Sequence, residues 1–118
     1  SDGFSIFGNK KEGPYQGTLV DQVTSLEIKR TSTGAIVNVT GVSARQGAFD
    51  VRLIPANQGV PIDGVLTYEL RALQPISTAQ GSERTRRITT AAPLTVGQLE
   101  DIRTVQVIAR RNVRTSRR

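Results

Sequence analysis

Residues 34–72 read GAIVNVTGVSARQGAFDVRLIPANQGVPIDGVLTYELRA, and this stretch decides the fold. Three alternating runs lie in it, separated by Gly, Pro, Asn and Asp. In the first, Ala35–Val42, Val37 and Val39 fall on one side and Asn38 and Thr40 on the other, because successive side chains of an extended chain point to opposite faces. Ala44–Gly47 makes a turn, after which Phe49, Val51 and Leu53 line the inner side of a strand ending at Pro55. Asn57-Gln58-Gly59 and Pro61-Ile62-Asp63-Gly64 carry tight-turn residues and delimit an exposed loop at 55–64. The run Gly64–Leu73 then sets Leu66, Tyr68, Leu70 and Ala72 against Thr67, Glu69 and Arg71.

The same pattern extends both ways. Upstream, Val23–Arg30 alternates through Leu26 and Ile28, and the turn Thr31–Gly34 joins it to the next run. Downstream, Gln74–Ser82 reads as a polar loop and Arg84–Thr90 as an exposed edge strand. Leu94–Ile102 tolerates a helical turn, with Thr95 as cap and Gln98 three residues on, as a capping box requires. Thr104–Arg110 points Val105, Val107 and Ala109 inward, and the tail 110–118 completes a last strand or frays. About seven short strands and one short helix near 94–102 make an all-β, immunoglobulin-like antiparallel β-sandwich, with a small barrel as the main alternative. Its expected core is Val37, Val39, Phe49, Val51, Leu53, Leu66, Tyr68, Leu70, Val105 and Val107.

At 118 residues the chain has room for one core. Residues 1–17 lack a sustained period and read as a flexible N-terminal arm, leaving 18–118 as a single sandwich domain with a basic C-terminal end. Phe4, Ile6 and Phe7 in that arm are apolar enough to dock on the domain or on a partner. No stretch is apolar for the ~20 residues that cross a bilayer as a helix.

Composition removes most catalytic chemistry. The chain has no His, Cys, Met or Trp, so imidazole relays, thiol nucleophiles and soft-metal sites have no donors. Neither GxGxxG nor GxxxxGK[ST] occurs. The acids Glu100 and Asp101 are adjacent in sequence and diverge on a helical turn. Asn38-Val39-Thr40 matches a glycosylation acceptor but lies mid-strand and reads as coincidence. The expectation is a protein with no catalytic residue, cofactor or metal.

Charge is uneven. Of sixteen Lys and Arg against ten acids, residues 71–118 hold ten Arg and three acids. Arg84, Arg86 and Arg87 fall on the expected edge strand, with Arg84 and Arg86 on a shared face, and Arg110, Arg111, Arg114, Arg117 and Arg118 fall in the tail. Guanidinium groups suit phosphate and carboxylate, so Arg84, Arg86, Arg87, Arg110, Arg111 and Arg114 are the candidate contacts for a polyanion or partner. No aromatic residues interleave with them to stack bases.

The run 34–72 also resembles a group of small uncharacterised alphaproteobacterial envelope proteins that pair a lipoprotein-type or secreted arm with one β-sandwich. The resemblance spans about residues 19–115 and rests on turn and core residues. It implies a periplasmic or outer-envelope location, lipid-anchored through a segment before Ser1, and carries no catalytic residues. The expected function is a binding or structural module contacting a protein partner through a sheet edge or the 55–64 and 74–82 loops. The alternatives are a polyanion binder, on nucleic acid or anionic lipid, and a virion or assembly subunit.

Overall fold

The computed structural model describes residues 14–75 and 80–118; Phe4, Ile6, Phe7 and most of the expected arm lie outside the described residues, as does the middle of the 74–82 loop. Among the described residues eight strands form: β1 Thr18–Leu19, β2 Gln22–Thr31, β3 Gly34–Val42, β4 Phe49–Pro55, β5 Val65–Leu73, β6 Arg87–Thr95, β7 Thr104–Ile108 and β8 Val113–Arg117. A single turn of helix, α1 Val96–Leu99, links β6 to β7. The all-β sandwich expected from the alternation is present, with one strand more than counted.

Sheet A is organised on β5, whose apolar row Leu66, Tyr68, Leu70 and Ala72 is at most 5% exposed. β4 pairs along one edge of β5, while β7 and then β1 share the other, and β8 pairs outside β7. The β5–β7 ladder is parallel; every other ladder between the named strands is antiparallel. That one parallel pair arises because the chain crosses to the second sheet as β6 and returns through α1. Sheet B has the order β2–β3–β6, and its Val23, Val37 and Val39 pack against Leu70, Val105 and Val107 of sheet A.

Two β-bulges decide which residues enter the core. Between Val23 and Ser25 the register slips, so the parity of Leu26 and Ile28 reverses and Val23 is fully buried. Between Phe49 and Arg52 it slips again, with Asp50 at φ 48°. Phe49 is thereby turned outward and is 55% exposed, which corrects its place in the expected core. The other nine expected core residues lie in the core or pack on it as expected, Val51 only half-buried, and Val20, Ala35, Leu94, Leu99 and Ile102 join them.

The registers sort the molecule into two ends. Thr31 faces Gly34, Gly34 faces Thr95, Val65 faces Thr104 and Thr104 faces Arg117, so the 31–34 turn, the 56–64 loop, α1 and the end of β8 share one end. The opposite end gathers Val42, Arg87, Ile108 and Val113. The helix is shorter than the expected 94–102 span because β6 runs on through Thr95. Its capping box forms as read, Gln98 N donating to Thr95 Oγ1 at 3.1 Å and Thr95 N to Gln98 Oε1 at 2.7 Å.

Candidate functional site

The expected arginine face does not assemble. Arg84 and Arg86 sit in a 3-10 turn, Glu83–Arg86, so they do not share a strand face; Ser82 caps that turn and Gly81 precedes it. Arg86 is consumed as a clasp, its Nη1 donating to Ser43 O at 3.1 Å and its Nε to Ser82 O at 3.3 Å, while the buried Ser43 bonds back to Arg86 O. Arg111 pairs with Asp21 at 3.5 Å, and Arg114 Nε donates to Val23 O at 3.1 Å. Arg84, Arg87 and Arg110 are exposed, but Arg87 starts β6 and Arg110 approaches β2, on opposite edges of sheet B.

The more structured end is the one with α1. The chain from Ala56 to Gly64 is held in an uncommon backbone: Asn57 and Gln58 lie at φ 53° and 55°, Gly59 at 81°, Asp63 at 53° and Gly64 at 81°. Left-handed backbone costs non-glycine residues roughly 1–2 kcal/mol each, so it persists only where the surroundings fix it. Val60 N donates to Asn57 O at 3.0 Å and Asn57 Nδ2 to Val60 O at 3.1 Å. Ile62 and Val65 exchange two 3.0 Å bonds around Asp63-Gly64, the two-residue hairpin turn that an Asp-Gly pair favours. Arg103 then pins the turn through its backbone N to Gly64 O at 2.7 Å and Nη2 to Asp63 O at 2.6 Å.

This rigid loop presents apolar surface outward, with Val60 57% and Ile62 60% exposed. Behind it lies a groove of about 340 Å³ between the loop and α1, walled by Pro55, Pro61, Leu66, Leu94 and Ile102, with Gln98 and Asp101 at its rim. Tyr68 also lines it. The ring is 95% buried in the core, since the residue is only 5% exposed, and burial raises its phenol above the ordinary 10.0, keeping the proton on the hydroxyl. That hydroxyl has no hydrogen-bond partner among the described residues. A buried polar group without a partner is uncommon, and one lining an apolar groove is a ready contact for a ligand.

On the other side of Arg103 is a second hollow of about 400 Å³, lined by Arg30, Arg103, Thr104, Arg117 and Arg118. Sequence reading named Arg117 and Arg118 only as part of a tail and left Arg30 and Arg103 out. The signal for Arg103 was its place just before a strand parallel to β5, which no sequence pattern discloses. Among the described residues no cluster of His, Cys, Asp and Glu could hold a metal, and no helix is long and apolar enough to cross a membrane. No family model, curated protein or solved structure matches the chain.

Proposed function

We propose that the protein is a non-catalytic binding module of the bacterial envelope, and that it takes an extended apolar segment of a protein partner in the groove beneath the 56–64 loop. The observation that carries this reading is the unpartnered Tyr68 hydroxyl in a groove walled by Leu66, Leu94 and Ile102. A partner main chain laid along the groove supplies what is missing. Its side chains meet apolar walls, its carbonyl accepts from Tyr68, and Val60 covers it from the loop side. The constrained loop needs little ordering on contact, which preserves affinity that a mobile loop would lose. The envelope location rests on the resemblance of residues 34–72.

Tyr68→Phe is the test, because it removes one oxygen and leaves the packed ring. Stability to urea should stay within about 1 kcal/mol of the parent, while affinity for the partner captured from the native envelope should fall roughly 5- to 20-fold. Val60→Asp and Val60→Lys should each abolish capture, and Arg84→Gln with Arg87→Gln should leave it intact. Capture that survives the loop changes and is lost with the arginines would replace this reading with the polyanion one.

A further inference from the structure

Separately from the groove, we infer that the hollow at the end of β8 is a binding site for a phosphate group. Four arginines line it from three elements that are remote in sequence: Arg30 from β2, Arg103 from the residue before β7, and Arg117 and Arg118 from the end of β8. No acidic side chain lines it. Elsewhere the arginines that meet one another's neighbourhood are neutralised or tied down: Arg52 lies 3.0 Å from Asp50, Arg71 2.8 Å from Glu69, and Arg86 and Arg114 are spent on carbonyls. In the hollow, Arg30, Arg117 and Arg118 make no ion pair and no side-chain hydrogen bond among the described residues.

Like charges held together raise the energy of the free protein, and an anion placed between them lowers it. The backbone enforces their proximity, since Arg118 N donates to Arg103 O at 3.1 Å and Thr104 pairs with Arg117 across the β7–β8 ladder. Arg103 is further oriented by its 2.6 Å bond to Asp63 O, so one of the forks is preset. Planar guanidinium forks match the oxygens of a phosphate in pairs, and the Thr104 hydroxyl adds a neutral donor. A phosphate monoester, a diphosphate or a phospholipid headgroup shares this chemistry. The volume of about 400 Å³ accepts any of them.

The test titrates the folded protein with inorganic pyrophosphate and follows backbone amide shifts by NMR. The amides of Arg103, Thr104, Arg117 and Arg118 should move together and saturate. Arg103→Gln with Arg117→Gln should weaken binding roughly ten-fold or more, whereas Arg84→Gln with Arg87→Gln should not change it. A parallel arm uses vesicles of phosphatidylcholine with and without phosphatidylglycerol. Pyrophosphate binding with no vesicle binding assigns the site to soluble phosphates, and vesicle binding that needs both phosphatidylglycerol and Arg103 assigns it to a headgroup. Shifts scattered over the surface, or equal losses in the Arg84/Arg87 variant, overturn the site and leave the groove reading untouched. Arg103 also holds the Asp63-Gly64 turn through its side chain, so Arg117→Gln with Arg118→Gln, which leaves that bond in place, is the second variant and should weaken pyrophosphate binding as well, with unfolding curves checking the fold of both.

Discussion

Gly34→Ala should leave no cooperatively folded protein. Gly34 stands where β2 turns into β3 through Ser32-Thr33, and it pairs at once with Thr31 and with Thr95 of β6. Neither Ser32 nor Thr33 adopts positive φ; the departure from ordinary strand geometry falls on Gly34, at φ 152°. A methyl group there would stand 1.9 Å from Leu94 O and 2.9 Å from the carbonyl carbons of Leu94 and Thr95. All three are backbone atoms in a paired ladder, so relief requires β3 and β6 to separate. The loss should exceed ~4 kcal/mol, the range reserved for disrupted cores and backbones. Gly59→Ala is the contrast. It meets only Pro55 Cβ at 3.8 Å, so its cost is that of left-handed φ alone, about 1 kcal/mol. Urea unfolding followed by circular dichroism separates the two, and a Gly34→Ala protein melting within about 4 °C of the parent would refute the argument.

The second large effect is at Asn112. Its side-chain amide imitates a peptide unit, Nδ2 donating to Val23 O at 2.8 Å and Oδ1 accepting from Val23 N at 2.8 Å. Val23 is fully buried, and it begins the edge strand of sheet B, while Asn112 lies in the turn between β7 and β8 of sheet A. The amide therefore closes the sandwich along that edge, with Arg114 adding a bond to the same carbonyl. In Asn112→Ala the Val23 N–H is left buried and unpaired, and the carbonyl keeps only Arg114. At ~1–3 kcal/mol for the stranded N–H and ~1 kcal/mol for the bond lost from the carbonyl, the loss should be about 2–4 kcal/mol. The Val23 amide should exchange with solvent much faster in the variant. Unchanged protection at Val23 would show that the clip is not what closes this edge.

Strand positions were readable wherever alternation ran unbroken, as in Leu66, Tyr68, Leu70 and Ala72 or in Val105, Val107 and Ala109. The Asp63-Gly64 turn and the Thr95–Gln98 capping box were equally legible, since each is set by its own few residues. Alternation failed at the two bulges. A single extra residue at Thr24 or Asp50 reverses the parity of everything before it, and nothing in the local sequence marks the slip, so Val23 was missed and Phe49 misplaced. The arginines that converge were hidden for a different reason. Density of arginine along the chain drew attention to 84–87 and 110–114, yet several of those guanidinium groups serve carbonyls and Asp21. The arginines that do converge, Arg30, Arg103, Arg117 and Arg118, are brought together by a parallel ladder and a crossover, which are long-range features. The groove was half-legible: the 55–64 loop was expected to be exposed, but the opening beside Tyr68 depends on how α1 seats against β6.

The most direct measurement of the groove reading is site-specific photo-crosslinking in cells of the source organism, with a benzophenone amino acid placed singly at Val60 or at Thr89. Val60 lines the groove from the loop and is 57% exposed, and Thr89 is an exposed position on β6. The account predicts one discrete protein adduct from Val60, lost when Tyr68→Phe is added, and none from Thr89. Adducts of equal yield from both positions, or a Val60 adduct indifferent to the Tyr68 hydroxyl, would contradict it.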